Sequence, residues 1–378
     1  MRVLKRFGVL LALAAVLAVV AWEWSPAPIA LGLLGATLGL LFELAWFQVG
    51  TLLGALVFRL RVRHVIIGVG RELRAWTTPR TRIVLCRLPL VIKVGVRVIH
   101  PPVRRWLWLT GATSVLAAVL AVGVLWLLAD SPFGRGLALG ATACLVHQLV
   151  PRRGAQGTSP GWFLFKLPGI TGRPAAEMDA TPLVNDVTEA VRAGDLDTAD
   201  TALARLVEQH PSLLMTVGSQ AMLLSVRARY AEALHLVSGM VGRPDLEPRD
   251  LAFVLAEMAG SAANALEAGQ LPMEVGLPAA TRAADGAMQL GLPRHRLAGT
   301  LAQLALLQDD PAAAIELARQ SADGSEGALA RADALATLAR AQMAAGDNAA
   351  ARVTIAEAES LSAWLPRVVE TTARLNVG

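Results

Sequence analysis

Charge is scarce in this chain. Asp, Glu, Lys and Arg make up 17% of its 378 residues, against about 25% in soluble domains. The deficit is uneven. Residues 7–58 and 106–150 carry almost no charge, while the chain after residue 175 has ordinary globular composition. That asymmetry excludes one uniform soluble fold and argues for a membrane half and a soluble half. Cysteine is equally sparse. Cys86 and Cys144 form no C-x-x-C pair, which removes zinc knuckles and dithiol redox motifs and leaves buried free thiols. Gly-x-Ser-x-Gly is absent, and Thr158-Ser159-Pro160-Gly161 has no paired base nearby. Gly68-Val69-Gly70 lacks the third glycine and the βαβ frame of a dinucleotide fingerprint. Acids are missing where bases gather: between Arg59 and Arg105 the one acid is Glu72. A basic cluster beside apolar runs is what the positive-inside bias produces, so the net charge of +5 does not point to nucleic acid.

What is abundant is apolar sequence, 54% of residues with a mean hydropathy of +0.49. Phe7–Trp22 follows Arg2, Lys5 and Arg6. It reads as an uncleaved span, although a signal peptide shares its plan. Ile29–Phe58 is a second run, longer than the roughly 20 residues a span needs, with Glu43 and Gln48 at depth. Trp106–Ala129 is a third. Leu137–Val150 is a fourth, short enough to be re-entrant or to continue through Trp162–Leu167. The expected architecture is mainly α: a polytopic bundle of about four spans over residues 1–150, with room for a small β-hairpin in the basic loop. A Gly/Pro-rich linker over 151–182 and a helical domain over 183–378 follow. The basic N-terminal cluster, the Arg59–Arg105 loop and Pro151-Arg152-Arg153 belong on the cytoplasmic side of the cell membrane, with Trp22–Ala27 and Asp130–Gly134 as short outside loops and the second half of the chain cytoplasmic.

Phe47-Gln48-Val49-Gly50-Thr51, Arg61-Val62 and Ile67-Gly68-Val69-Gly70 stand in an order that resembles the site-2 protease family of intramembrane zinc metallopeptidases. Arg82–Leu85 with Leu88-Pro89-Leu90 resembles that family's strand pair. Gln148-Leu149-Val150-Pro151 sits where the family has N-x-x-P, and Thr158-Ser159-Pro160-Gly161 where it has D-G. The resemblance covers about residues 29–168 and implies a zinc site. Two histidines one helical turn apart would hold the metal, a glutamate would act as base and a distant carboxylate would be the third ligand. The residues at those positions are Phe47, Gln48, Thr51 and Pro160. None can fill its role, so no catalytic residue, metal or cofactor is expected. An alternative register on Phe42-Glu43-Leu44-Ala45-Trp46 keeps a glutamate but also lacks both histidines. Glu43, Gln48, His147 and Gln148 are then the candidate intramembrane polar residues. Glu43 and His147 are expected to satisfy one another across two helices; as a metal site they supply too few ligands. Of the other histidines, His64 and His100 fall in the basic loop, and His210, His235 and His295 beyond it.

The second half repeats itself. Gly194-Asp195-Leu196-Asp197-Thr198-Ala199, Ala228–Ala233, Asp309–Ala314 and Gly346–Ala351 each place a turn residue, a short link and an alanine between helical runs. A weaker copy lies near Gly269, and the spacing is about 34 to 41 residues. This resembles degenerate tetratricopeptide-type repeats stacked as an α-solenoid, which implies a concave protein-binding surface. The sequence thus suggests a non-catalytic, site-2-protease-like scaffold with the lipid bilayer and a protein as its partners. Two other functions stay open. One is an active intramembrane zinc metalloprotease with an unrecognised or partner-completed metal site. The other is a transporter or channel subunit.

Overall fold

The computed structural model describes residues 26–77, 81–99, 102–154, 157–325 and 327–377. The expected first span, Phe7–Trp22, and His100 lie outside the described residues. The fold is mainly helical and divides after Pro182 into two compact units.

The first unit is built on α1 (Pro26–Val57), α2 (Val103–Leu127) and α3 (Pro132–Leu149). Glycine sets how closely these helices approach. On α1, Gly35, Gly39, Gly50 and Gly54 are all buried. Side chains placed at Gly39, Gly136 or Gly140 would collide with the carbonyls of Leu137, Gly32 and Ala36 respectively. Such small-residue seams let helix backbones touch. The paired positions rise together, Gly32 with Gly136 and Ala36 with Gly140, so α1 and α3 run parallel. Gly50 meets Ser114 and Gly54 meets Thr110, so α2 runs the other way.

Among the described residues, α1 and α2 are long and apolar enough to cross a membrane. The expected bundle of four spans is not reproduced by that test: α3 carries Arg135, His147 and Gln148 within its 18 residues. It also starts at Pro132, several residues before the expected Leu137. At about 1.5 Å per residue it reaches roughly 27 Å. The expected continuation into Trp162–Leu167 is replaced by a break. The chain leaves α3 at Val150, makes the small pairing of β3 (Arg153–Gly154) with β4 (Gly157–Thr158), and enters a separate short helix, α4 (Pro160–Phe165). The stretch expected as a linker is therefore structured, and its residues up to Pro182 belong to the first unit.

The basic loop forms a hairpin much longer than expected, β1 (Arg61–Thr77) against β2 (Arg82–Arg97). Its strands pair more than once. His64–Ile67 lie beside Ile92–Gly95 on one side and beside Arg82–Leu85 on the other, and Arg82–Leu85 also pair with Arg74–Thr77. The hairpin is thus folded back on itself into four short rows. Gly68 and Gly70, at φ of 99° and 95°, supply the left-handed turns that β-branched neighbours would resist. Residues 92–97 are paired on one side and end the sheet.

The second unit stacks helices in chain order. They are α5 (Arg173–Arg192, whose second half belongs here), α6 (Leu196–Gln209), α7 (Leu214–Val226), α8 (Tyr230–Ser238), α9 (Pro248–Glu267) and α10 (Met273–Gln289). Then come α11 (Ala298–Leu307), α12 (Pro311–Gly324), α13 (Ala328–Ala344), α14 (Asn348–Ser362) and α15 (Pro366–Val377). Neighbours in sequence pack together, and α9 also meets α11, α11 meets α13, and α13 meets α15. The repeated motif explains the regularity. Gly194, Ala228, Gly269, Asp309 and Gly346 all have positive φ. The next residue in each case bonds back to a carbonyl five positions earlier: Asp195 to Ala190, Arg229 to Leu224, Gln270 to Ala265, Asp310 to Ala305 and Asp347 to Gln342. Asp195, Asp310 and Asp347 then cap the following helix through their side chains. The motif alanines Ala199, Ala233, Ala314 and Ala351 are each 0% exposed, because they sit at the close contact between helices.

Ala228 takes the left-handed conformation, φ 58°, where glycine bears no Cβ penalty. Ala228→Gly is expected to raise the stability of this unit by up to about 1 kcal/mol. Chemical denaturation of the purified full chain, followed by circular dichroism, reads this; a loss of stability would contradict the turn described.

Candidate functional site

The first unit contains a cavity of about 1290 Å³. Its walls come from α1 (Leu40, Leu44, Phe47, Gln48, Thr51), β2 (Val91–Val96), α2, the end of α3 (Cys144, His147, Gln148) and the turn carrying Arg152, Arg153 and Pro160. Of the residues singled out in the sequence, Phe47, Gln48, Thr51, His147, Gln148 and Pro160 all line it. They come from segments separated by about a hundred residues, and the glycine seams between α1, α2 and α3 bring them together.

Each has a definite setting. Phe47 is buried to 1% exposure among Ala118, Val122, Ala141 and Leu145. Its carbonyl receives the hydroxyls of Thr51 at 2.9 Å and Ser114 at 2.7 Å, and Thr51 Oγ1 lies 3.3 Å from Ser114 Oγ. Thr51 bonds back one turn within α1, as hydroxyls in apolar helices do, whereas Ser114 donates across from α2. Both protons are committed to a backbone acceptor. Gln48 reaches across to the sheet: the Val94 N–H donates to Gln48 Oε1 at 2.9 Å. Since strand groups alternate in direction, the Val94 bond places Ile92 and Val94 with their outward backbone groups toward the cavity. The sheet edge therefore forms one wall.

His147 and Glu43 do not meet as expected. The His147 ring Nε2 lies 2.6 Å from Arg152 Nη1, and Arg152 Nη2 donates to the His147 carbonyl at 2.8 Å. This closes the C-terminal end of α3. Glu43 is 0% exposed, and neither of its carboxylate oxygens has a hydrogen-bond partner among the described residues. It lies on the helix contact rather than on the cavity wall. A buried polar group without a partner is a cost to the fold. Glu43→Met is expected to raise the melting temperature of the detergent-solubilised protein, corresponding to about 1–2 kcal/mol. Unchanged or reduced melting would mean that the carboxyl has a partner.

The donor set does not fit a metal. Phe47 and Pro160 offer no side-chain lone pair. Thr51 is held by backbone, and among the described residues no group of three His, Cys, Asp or Glu gathers as a metal site. Sequence reasoning missed Ser114, Arg152 and the β2 edge. Ser114 stands with Thr110 and Thr113 as a hydroxyl stripe in an otherwise apolar run, and that stripe was the available signal. Arg152 was visible only as a topological charge.

The second unit has a separate polar cluster where α9, α11, α13 and α15 meet. Glu267 pairs with Arg340, and with Arg367 at 2.8 Å. Arg367 also reaches Asp333 at 2.8 Å and Thr337 at 2.9 Å. Arg340 reaches Thr371 at 2.7 Å and Glu370 at 3.2 Å. Gln303 links Asn264 and Glu267. Burial pushes the Glu267 carboxyl up, but Arg367 and Arg340 outweigh it and bring it down to about 2. The Tyr230 hydroxyl is pushed up to about 12, chiefly by burial. Val226, Leu329 and Trp364 bridge the first and last helices of the array. The ion pairs of Glu267, Arg340 and Arg367 are thus buried between the helices of this array.

No family model matches the chain, and no curated protein matches it. A solved structure does. The crystal structure of a thermophilic TPR protein from Thermus thermophilus aligns with 14% identity, over 52% of this chain and 97% of that one, at a TM-score of 0.40.

Proposed function

We propose that the protein is a non-catalytic membrane scaffold, related to the intramembrane site-2 proteases, that holds an extended segment of a partner protein in the cavity of its first unit. One observation carries the reading. Phe47, Gln48, Thr51, Gln148 and Pro160, the positions picked out by the resemblance, line one cavity beside an open strand edge, and none of them supplies a metal ligand or a base. A strand edge offers backbone donors and acceptors in register to an extended chain. A membrane setting is supported by the apolar surface. Leu33, Leu34, Leu53 and Leu56 on α1 are all exposed, as are Leu116, Leu120 and Leu127 on α2, Leu127 to 82%. Soluble proteins do not normally show water so much contiguous hydrocarbon. The helices, at 32 and 25 residues, exceed the roughly 20 needed to span. The repeat unit, in this reading, docks a cytoplasmic protein, the usual work of stacked helical hairpins.

The test uses purified full-length protein in nanodiscs with a reporter transmembrane helix containing a helix-breaking segment. A cysteine introduced at Ile92 is expected to crosslink to that segment, the reporter is expected to remain uncut, and elemental analysis is expected to find less than stoichiometric zinc. Placing the four family residues by Phe47→His, Gln48→Glu, Thr51→His and Pro160→Asp is expected to create zinc binding. Cleavage of the reporter by the native protein, or tightly bound zinc in it, would overturn the proposal in favour of an enzyme.

A further inference from the structure

Resting on that reading, we infer that the segment held in the cavity is acidic at one end, and that Arg152 and Arg153 recognise its carboxylates. The cavity is polarised along its length. Because α1 and α3 run parallel through the Ala36–Gly140 contact, Leu40 lies level with Cys144 and Leu44 with Gln148. Gln48 and Thr51 lie level with the His147–Arg152 end of α3. One end of the cavity is therefore hydrocarbon and the other cationic. Arg152 and Arg153 line it, and no Asp or Glu is among its lining residues.

Neither arginine is neutralised among the described residues. Arg152 is oriented by the His147 ring and carbonyl, both uncharged acceptors. Arg153 stacks over the Trp162 ring at 5.1 Å, which fixes the guanidinium while leaving its charge in place. Among the described residues no carboxylate pairs with either arginine. Guanidiniums held in fixed orientation beside a low-dielectric wall are matched by carboxylates, which can accept two parallel hydrogen bonds. The edge at Ile92 and Val94, where Gln48 holds the Val94 N–H until a chain replaces it, selects an extended backbone, and the arginines then select what its end carries. A strand paired with this edge presents alternate side chains to the cavity wall, so an acidic residue just beyond the apolar part of the segment would reach the cationic end.

The experiment measures binding of three short fluorescent peptides to the full-length protein in zwitterionic nanodiscs by anisotropy. The peptides share one alternating valine–threonine stretch and end in two glutamates, two glutamines or two lysines. The glutamate peptide is expected to bind about tenfold more tightly than the glutamine peptide, with the lysine peptide weakest and the preference shrinking as salt is raised. Arg153→Gln is expected to reduce that preference, and Arg153→Lys to restore part of it. Equal affinity for all three peptides would overturn the acidic end while leaving peptide binding intact. Failure of all three to bind would remove the peptide reading itself, and this inference with it. Equal peptide affinities together with selective retention of phosphatidylglycerol over phosphatidylcholine would assign the cationic end to a lipid headgroup and overturn the inference.

Discussion

Glu267→Ala is expected to destabilise the second unit by about 3–5 kcal/mol, the range found when one partner of a buried ion pair is removed. The cost comes from what is left behind. Arg340 and Arg367 are each only 4% exposed on their side chains, and without Glu267 two like charges face each other out of water. Asp333 and Glu370 remain at the rim, at 45% and 38% exposure, and are too wet to replace it. Glu267→Gln keeps the shape and one acceptor and is expected to cost less. The pH dependence has a definite sign. A carboxyl whose folded value, about 2, lies below its ordinary 4.5 contributes stability that is present above pH 4.5. That stability is lost as pH falls toward 2. A shift of that size corresponds to about 3 kcal/mol. Urea titrations of the full chain from neutral pH down to the acid limb are expected to show stability falling below the carboxyl's ordinary value of 4.5 in the native protein, and less so in Glu267→Gln. Identical acid limbs in the two proteins would show that the cluster is not what acid breaks.

Gly140→Leu is expected to be at least as damaging in the first unit. A side chain there meets the Ala36 carbonyl, a backbone atom that cannot rotate away. Relief requires α1 and α3 to separate along their length, costing about 3 kcal/mol or more. Because α1 and the end of α3 both wall the cavity, the same substitution is expected to abolish peptide binding, and size-exclusion chromatography in detergent is expected to show loss of the single sharp species. Gly123→Leu is the control, since nothing lies within 4 Å of a Cβ there. Equal tolerance of both substitutions would mean that the seam is looser than described.

Much of this arrangement was legible in the sequence. The repeat motifs could be read because their chemistry is local. A left-handed residue, a capping Asp and a small alanine recur at fixed offsets, and Gly194-Asp195 and Gly346-Asp347 do in the structure what their spacing suggests. That Phe47, Thr51 and Pro160 line one cavity was not legible locally, since nothing next to any of them points to the others. The pairing of Glu43 with His147 was misread because helix periodicity gives a face but not a depth. His147 sits at the helix end, where Arg152 reaches it first. The length of β1 and β2 was hidden by their basic residues, which looked like loop. The ion pairs around Glu267 were illegible, because Glu267 and Arg367 are 100 residues apart and look like ordinary surface charges in a one-dimensional pattern.

The bond from Val94 to Gln48 bears on how readily the cavity could change state. An unpaired strand edge next to a hydrocarbon wall would invite adventitious association. Here a side-chain amide supplies the acceptor that an incoming backbone would otherwise supply. An arriving chain exchanges one acceptor for a chemically similar one, so the enthalpy of entry at that point is close to zero. If a chain enters as proposed, Gln48 acts as a removable stopper, and selectivity falls to the parts of the visitor that lie beyond it.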